Sequence, residues 1–408
     1  MSMSLPSGWL LAYSAREEGA IRAARGGTAR ELCTEGGGGV EVTQMSFWPA
    51  AGSMAQVLEE RPKPAAETED ALARVPVFPR LRYMGSKYRV VPYLVDVLAG
   101  VRFSSALDAF SGSGVVAYAL KAMGKQVTGN DFLNFSAAVV RATVENSEVR
   151  LEADDIERIV GPPADDRDFI RKTFRGLYFP EEDHAFLDGA WSHIETLPPY
   201  KRDIALAALC LAAARKQPRG VFTVTDLRYD DGRRNMHMAL RDQFRLTAEA
   251  YNTVVFDNGQ GCRALCQDIF DVDPSGFDLV YLDPPYAPPR DDNDYIKRYH
   301  FLEGLSVYWQ GQEIMEHTAT KKLRKRFTPF AYKRTIVKAL GDLFDQFRES
   351  IIVLSYNSQS VPDEEEIRRL LRQVKRRVNC YAVPHRYHFG THASARRRQA
   401  HEFIFVAR

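Results

Sequence analysis

No stretch of this 408-residue chain stays apolar long enough to cross a bilayer. The longest, Ile204 to Ala214, falls well short of the roughly 20 residues a spanning helix needs and reads as a buried helix. Cysteine is scarce and odd in number, at five, which argues against a disulfide framework and for a reducing cytoplasm. Cys262 and Cys266 have no second ligand pair beside them, so no metal site is expected and both read as small buried residues. Neither sign of charge is in excess. The net +2 says little about polyanion binding, which depends on where the charges sit. The brief Trp9-Leu10-Leu11-Ala12 stretch lacks a basic lead-in, so no secretory signal is read and a cytoplasmic location is expected. What remains is ordinary. A chain that is 45% hydrophobic and 26% charged is globular, and its length suffices for one large α/β domain with an inserted module.

Up to about residue 75 the chain is rich in Gly, Ala, Ser and Glu, with a Gly36–Gly39 run and little apolar periodicity. Residues 1–78 are therefore expected to form a disordered tail, with a true start at Met45 or Met54 as an alternative. Order is expected from Pro79 onward. Ser105 to Phe110 is short and apolar and leads into Ser111-Gly112-Ser113-Gly114-Val115-Val116-Ala117, a strand, a glycine turn and a helix. Glycines there let a cofactor lie against the backbone at the mouth of a sheet. Gln126 to Asp131 reads as the next strand, ending in an acid placed to accept from ribose hydroxyls.

Downstream, the apolar strand Phe277 to Leu282 runs directly into Asp283-Pro284-Pro285-Tyr286. Two consecutive prolines end the strand and hold the backbone extended, which fixes the Asp283 carboxylate, the Pro284 carbonyl and the Tyr286 ring relative to one another. Such a set suits methylation of an aromatic amine. The lone pair of adenine N6 is delocalised, and hydrogen bonds from its protons to a carboxylate and a carbonyl favour the nucleophilic geometry. The same contacts stabilise the positive charge that builds as the methyl group arrives. The aromatic ring offers a stacking face for a base taken out of the duplex.

On these residues, Pro79 to Arg408 resembles the Dam-type family of DNA N6-adenine methyltransferases, with motifs in the order of the alpha group. Arg82-Tyr83-Met84-Gly85-Ser86-Lys87 is similar to the family's aromatic-x-Gly-Gly-Lys opening, with Ser86 standing for the second glycine; the resemblance implies cofactor contacts by Tyr83 and Lys87. Asp108, Phe110, Gly112 and Gly114 match its acid-x-Phe-x-Gly-x-Gly turn, Asp131 its ribose acid, and Asp283 to Tyr286 its catalytic tetrad, whose Asp283 also borders the cofactor. Asp268, in Gln267-Asp268-Ile269-Phe270, looks like the acid that holds the cofactor's adenine amine.

The resemblance implies S-adenosylmethionine as cofactor and a Rossmann-like α/β fold. That fold has a mostly parallel seven-stranded sheet, a final antiparallel hairpin and a helical target-recognition insert. Residues 79–147 and 259–408 would then be the two parts of the catalytic domain, and 148–258 the insert. The expected partners are duplex DNA and a separately encoded restriction endonuclease, with no membrane, for a monomer or weak dimer. Near the chain's end, Ser350 to Tyr356 and His401 to Ala407 read as strands and Val361 to Val374 as an amphipathic helix.

Basic residues give the candidate DNA contacts. In the insert these are Arg215, Lys216, Arg219, Arg228, Arg233 and Arg234, since arginine suits bidentate contacts to guanine. Beyond the tetrad, Lys321, Lys322, Arg324, Lys325 and Arg326 form a cluster of the kind phosphate contact requires, and Arg396 to Arg398 form another. The polar, aromatic segment from Asp291 through Tyr295 to Leu302 reads as a lid over the flipped base or a plain surface loop. A dehydrogenase would share the glycine turn but has no use for the tetrad, and cytosine N4 enzymes usually open the tetrad with Ser. An RNA N6-adenine methyltransferase, or a silent homologue that binds nucleic acid without catalysis, stands as the alternative.

Overall fold

Strand β5 (Leu279–Leu282) is buried along its whole length, and its side chains divide between two cores. Leu279 and Tyr281 enter one, Val280 and Leu282 the other, as the alternation of a strand covered on both faces requires. The computed structural model describes residues 56–57, 66–223, 230, 232–286, 295–386 and 399–408, all within a unit from Ser53 to Arg408.

Around β5 lie β2 (Ser105–Asp108), β3 (Gln126–Asn130), β4 (Arg263–Leu265) and β6 (Ile351–Asn357), all parallel to one another. Strand β8 (Gln399–Ala407) inserts antiparallel between β6 and β7 (Val378–Arg386). The order β7-β8-β6-β5-β2-β3-β4 is the mostly parallel seven-stranded sheet with its antiparallel closing hairpin, and the two-residue β1 (Gln56–Val57) adds to its edge beside β7.

The ordered chain begins before Pro79, which corrects the expected tail. Helix α1 (Ala66–Arg74) and a 3-10 turn over Val75–Val77 bury Ala71, Val75 and Phe78 in the first core. Those positions are i, i+4 and i+7, a helical stripe that the polar composition of the region concealed. Phe78 packs on Tyr118 at 4.7 Å between ring centres. Residues 1–55 and 58–65 lie outside the described residues.

Helices α2 (Val91–Ala99), α3 (Val115–Ala122) and α4 (Asn134–Val140) contribute to the first core. The region 148–258 is helical as expected: α5 (Ala153–Val160), α6 (Phe169–Thr173), α7 (Glu181–Ile194), α8 (Pro199–Arg215), α9 (Arg234–His237) and α10 (Leu240–Thr253). Its apolar side chains join the same first core, with Ile204 to Ala214 of α8 buried throughout. After the tetrad, α11 (Tyr295–Val307) is tied to the insert by Trp191, whose indole donates to the Leu305 carbonyl at 2.7 Å. The second core is closed by α12 (Ile336–Gln346) and α13 (Glu364–Val374). Helix α13 starts three residues later than the apolar pattern suggests, because the Asp363 carboxylate caps it by accepting from the Glu366 amide.

Candidate active site

Strands β2 and β5 pair side by side, with β3 beyond one and β6 beyond the other. A sheet that reverses its order in this way opens a crevice at its carboxyl ends. Asp108 is the last residue of β2, and Asp283 follows the last residue of β5. Between them opens a pocket of about 540 Å³, lined by Tyr83, Lys87, Asp108, Phe110, Gly112, Asp131, Asp283 and Pro285 among others.

The glycine turn is needed where it stands. Gly112 has φ +49°, and a Cβ there would lie 2.8 Å from the Tyr83 ring. Gly114, at φ +79°, precedes the first turn of α3. Tyr83 is stacked on Tyr299 at 4.9 Å, and the Tyr299 hydroxyl accepts from the Met84 amide at 2.6 Å. Ser86 sets its hydroxyl 3.5 Å from that of Ser113, so the opening loop rests directly on the glycine turn.

The acids divide by partner. Asp108 accepts from the Ala117 amide through Oδ2 at 2.9 Å, while its Oδ1 is buried and has no hydrogen-bond partner among the described residues. Burial, then repulsion from Asp283, push its carboxyl up to about 8. Asp131 uses both oxygens on backbone: Oδ2 takes the Gly112 amide at 2.7 Å and Oδ1 the Leu133 amide at 2.9 Å. It lines the pocket, but its first service is to hold the turn in shape. Asp268 is exposed and absent from the pocket lining, because its carboxylate turns back to cap the 3-10 turn Ile269–Asp271 at the Phe270 amide.

Lys87 lines the pocket, yet its ammonium is directed at carboxylates: 2.7 Å from Asp283 Oδ1 and 3.3 Å from Glu402 Oε1. The Tyr286 hydroxyl reaches the same two oxygens, at 2.8 and 2.7 Å. Burial raises the Asp283 carboxyl to about 6, with Lys87 opposing and Glu402 adding to the rise. The Tyr286 ring is only 8% exposed and meets Tyr356 edge-on at 5.0 Å, so its hydroxyl is engaged and little of its face is open. Glu402 was not foreseen. Its one signal is a carboxylate within an apolar alternation, Glu402-x-Ile404-x-Val406, and that is informative only once β8 is placed.

The segment after the tetrad is not a loop over Tyr295 to Leu302. It is the start of α11, and Tyr299, His300, Phe301 and Leu302 are fully buried; His300 Nε2 meets the Phe222 carbonyl at 3.0 Å, while its Nδ1 has no hydrogen-bond partner among the described residues. Asp291 to Asp294 lie outside the described residues. Cys262 is buried as expected, but Cys266 is exposed, since β4 ends before it.

Of the basic candidates, Arg219 is exposed at a left-handed position (φ +56°) in the turn after α8, and the next residue, Gly220, abuts Arg82 at the pocket's opening loop. Arg234 is also exposed. Arg233 instead donates to the Arg215 and Gln217 carbonyls, stabilising the C-terminal end of α8, and Lys216 is paired with Asp183. In the second cluster, Lys321 pairs with Glu316 and Arg324 with Glu313, while Lys322 is half-buried. Lys325 lies over Tyr332, and Arg326 lies over Phe132 and donates to its carbonyl, beside Asp131. The exposed pairs are weak and exchangeable for phosphate. Arg228 and Arg396 to Arg398 lie outside the described residues. Among the described residues no helix is long and apolar enough to cross a membrane.

A carboxylate and two prolines closing a central strand, beside a glycine turn on a sheet finished by an antiparallel strand, define a Rossmann-like methyltransferase. Residues 83–370 match the D12 class N6 adenine-specific DNA methyltransferase family, and the chain belongs to that family. Its activity is methylation of adenine N6 in DNA from a methyl donor. It is similar to the type II methyltransferase M2.HphI of Haemophilus parahaemolyticus, 29% identical over 329 residues that cover 76% of this chain and 93% of that one. The modification methylase StsI of Streptococcus sanguinis is 24% identical and the type II methyltransferase M.FokI of Planomicrobium okeanokoites 22%, each over 80% of this chain. This chain spans about half the length of those two, 51% and 52%.

Proposed function

We propose that the methyl donor is S-adenosylmethionine and that the acceptor is an adenine flipped out of duplex DNA at one short sequence. The chain then serves as the modification component of a restriction-modification pair, in the cytoplasm, as a monomer or weak dimer. The observation that carries the donor assignment is the buried, unpartnered Asp108 Oδ1 in a pocket that also holds Asp131 and Asp283. Three acids around a cavity suit a cationic ligand. When bound, the donor supplies an electrophilic methyl on a sulfonium.

The chain's own groups do the rest. Lys87 and Tyr286 both converge on Asp283 Oδ1, and none of the described residues donates to Oδ2, which is left to accept from the target amine with the Pro284 carbonyl. Arg219, Arg234 and the Lys321 to Arg326 cluster are the side chains for DNA contact. The names of the relatives, type II methyltransferases and modification methylases, support the modification role.

Calorimetry tests the donor assignment. A cation beside Asp108 favours its ionised form, so binding must expel a proton from a carboxyl held near 8. S-adenosylmethionine is expected to bind with proton release at neutral pH and to bind more tightly as pH rises toward about 8. Binding that is independent of pH, with no proton exchanged, contradicts it. For the modification role, DNA from cells making the protein should resist an endonuclease that cuts at the methylated sequence; cleavage as in unmodified DNA argues against it.

A further inference from the structure

Glu402 lies on β8, where Glu402, Ile404 and Val406 point to one side and the two aliphatic residues enter the first core. A carboxylate in that row, 1% exposed, is costly unless it is compensated. Its compensation comes from the catalytic cluster itself. Glu402 Oε1 accepts from the Tyr286 hydroxyl at 2.7 Å and faces the Lys87 ammonium at 3.3 Å, and both of these donors also serve Asp283 Oδ1.

The charges decide what this does. Lys87 brings one positive charge to two carboxylates, so the ionised cluster carries one net negative charge. Without Glu402, Lys87 would cancel Asp283, and the carboxylate would be a poor acceptor just as positive charge develops on the amine. One hydroxyl also carries one proton, so Tyr286 cannot donate fully to both oxygens at once. Glu402 thus draws both donors partly away from Asp283. Of the two carboxylates, Asp283 reaches the pocket, its side chain 17% exposed against 1% for Glu402.

We propose that Glu402 is a positioning residue for methyl transfer: it neutralises Lys87 and shares the Tyr286 hydroxyl, so that the Asp283 carboxylate, once ionised, is not cancelled and stays a strong acceptor for the target amine. This rests on the catalytic reading of Asp283. No covalent step is added. Glu402 stays remote from substrate and acts through Lys87 and Tyr286.

The test is the pH dependence of methyl transfer by the whole protein with S-adenosylmethionine and duplex DNA. The groups facing Asp283 are Lys87 from the opening loop, Tyr286, Glu402 from β8, Asp108 from β2 and Tyr281 from β5. Glu402 repels charge on Asp283, whose carboxyl stands at about 6. Glu402→Gln removes that repulsion, so the acid limb of the rate profile should move to lower pH. Turnover should fall by about tenfold or more, with little change in the KM for S-adenosylmethionine. A rate within about twofold of the parent, or a lower rate with the acid limb unmoved, overturns the proposal. Should Glu402→Gln fail to fold, Glu402→Asp keeps the charge but withdraws it by one methylene; it should turn over more slowly with the acid limb at or slightly below the parent's, and parental turnover overturns the proposal. Asp283→Asn, measured alongside, separates the two readings. If it is active, the catalytic reading of Asp283 fails; if it is inactive while Glu402→Gln is unimpaired, only the role of Glu402 fails.

Discussion

Asp283→Ala is expected to slow methyl transfer by about a hundredfold or more, while the protein folds and still binds the methyl donor. The carboxylate is set by the end of β5 and the two prolines after it, and it is held by Lys87 and Tyr286 through one oxygen. Removing it takes the proposed charged acceptor from the target amine and leaves Lys87 with the Glu402 carboxylate and the Gly85 carbonyl. Stability should therefore suffer less than turnover, because Lys87 retains a partner. Single-turnover rates beside thermal melting separate the two effects. Parental turnover in a folded variant would remove Asp283 from the chemistry. In the parent, the same carboxyl must be ionised to accept, and it stands at about 6 because of burial. Activity should accordingly fall as pH drops through that value.

The second large effect is expected at the glycine turn. Gly112→Val forces an L-residue into φ +49° and sets a Cβ 2.8 Å from the Tyr83 ring. The left-handed conformation alone costs about 1–2 kcal/mol, and relieving both strains means moving the turn or the ring that border the pocket. Binding of S-adenosylmethionine should weaken by about thirtyfold or more, the equivalent of roughly 2 kcal/mol. Calorimetry reads this directly. Unchanged affinity in a folded variant would mean that the turn does not meet the donor.

These two positions were legible in the sequence because each depends on its immediate neighbours. A strand followed by Gly112 and Gly114, or by Pro284 and Pro285, restricts the backbone wherever it occurs. Residue type was legible further than residue partner. Asp131 follows β3 as expected, yet both of its oxygens are taken by the amides of Gly112 and Leu133. Arg233 has the chemistry of a phosphate contact and serves helix α8 instead. Lys87 belongs to the pocket but answers to Asp283 and Glu402.

What the sequence concealed depends on distance along the chain. Glu402 is 116 positions from the tyrosine whose hydroxyl it accepts, and only the placing of β8 between β6 and β7 brings the two together. Tyr299 and His300 look like surface residues because of their polar atoms. They are buried, with the Tyr299 hydroxyl on the Met84 amide and His300 Nε2 on the Phe222 carbonyl. The insert reads as a separate module, although its apolar side chains share one core with those of the sheet.

Methylation of adenine N6 in DNA is expected to act on the duplex, at this site. Its most direct test is to incubate unmodified genomic DNA with the protein and S-adenosylmethionine, then map every methylated base at single-site resolution, with RNA as a parallel substrate. The expected product is N6-methyladenine at one short recurring sequence, in duplex DNA in preference to RNA, and it should be lost with Asp283→Ala. Methylcytosine in the product, methylation of RNA in preference to DNA, or no methylation by the folded parent would contradict it.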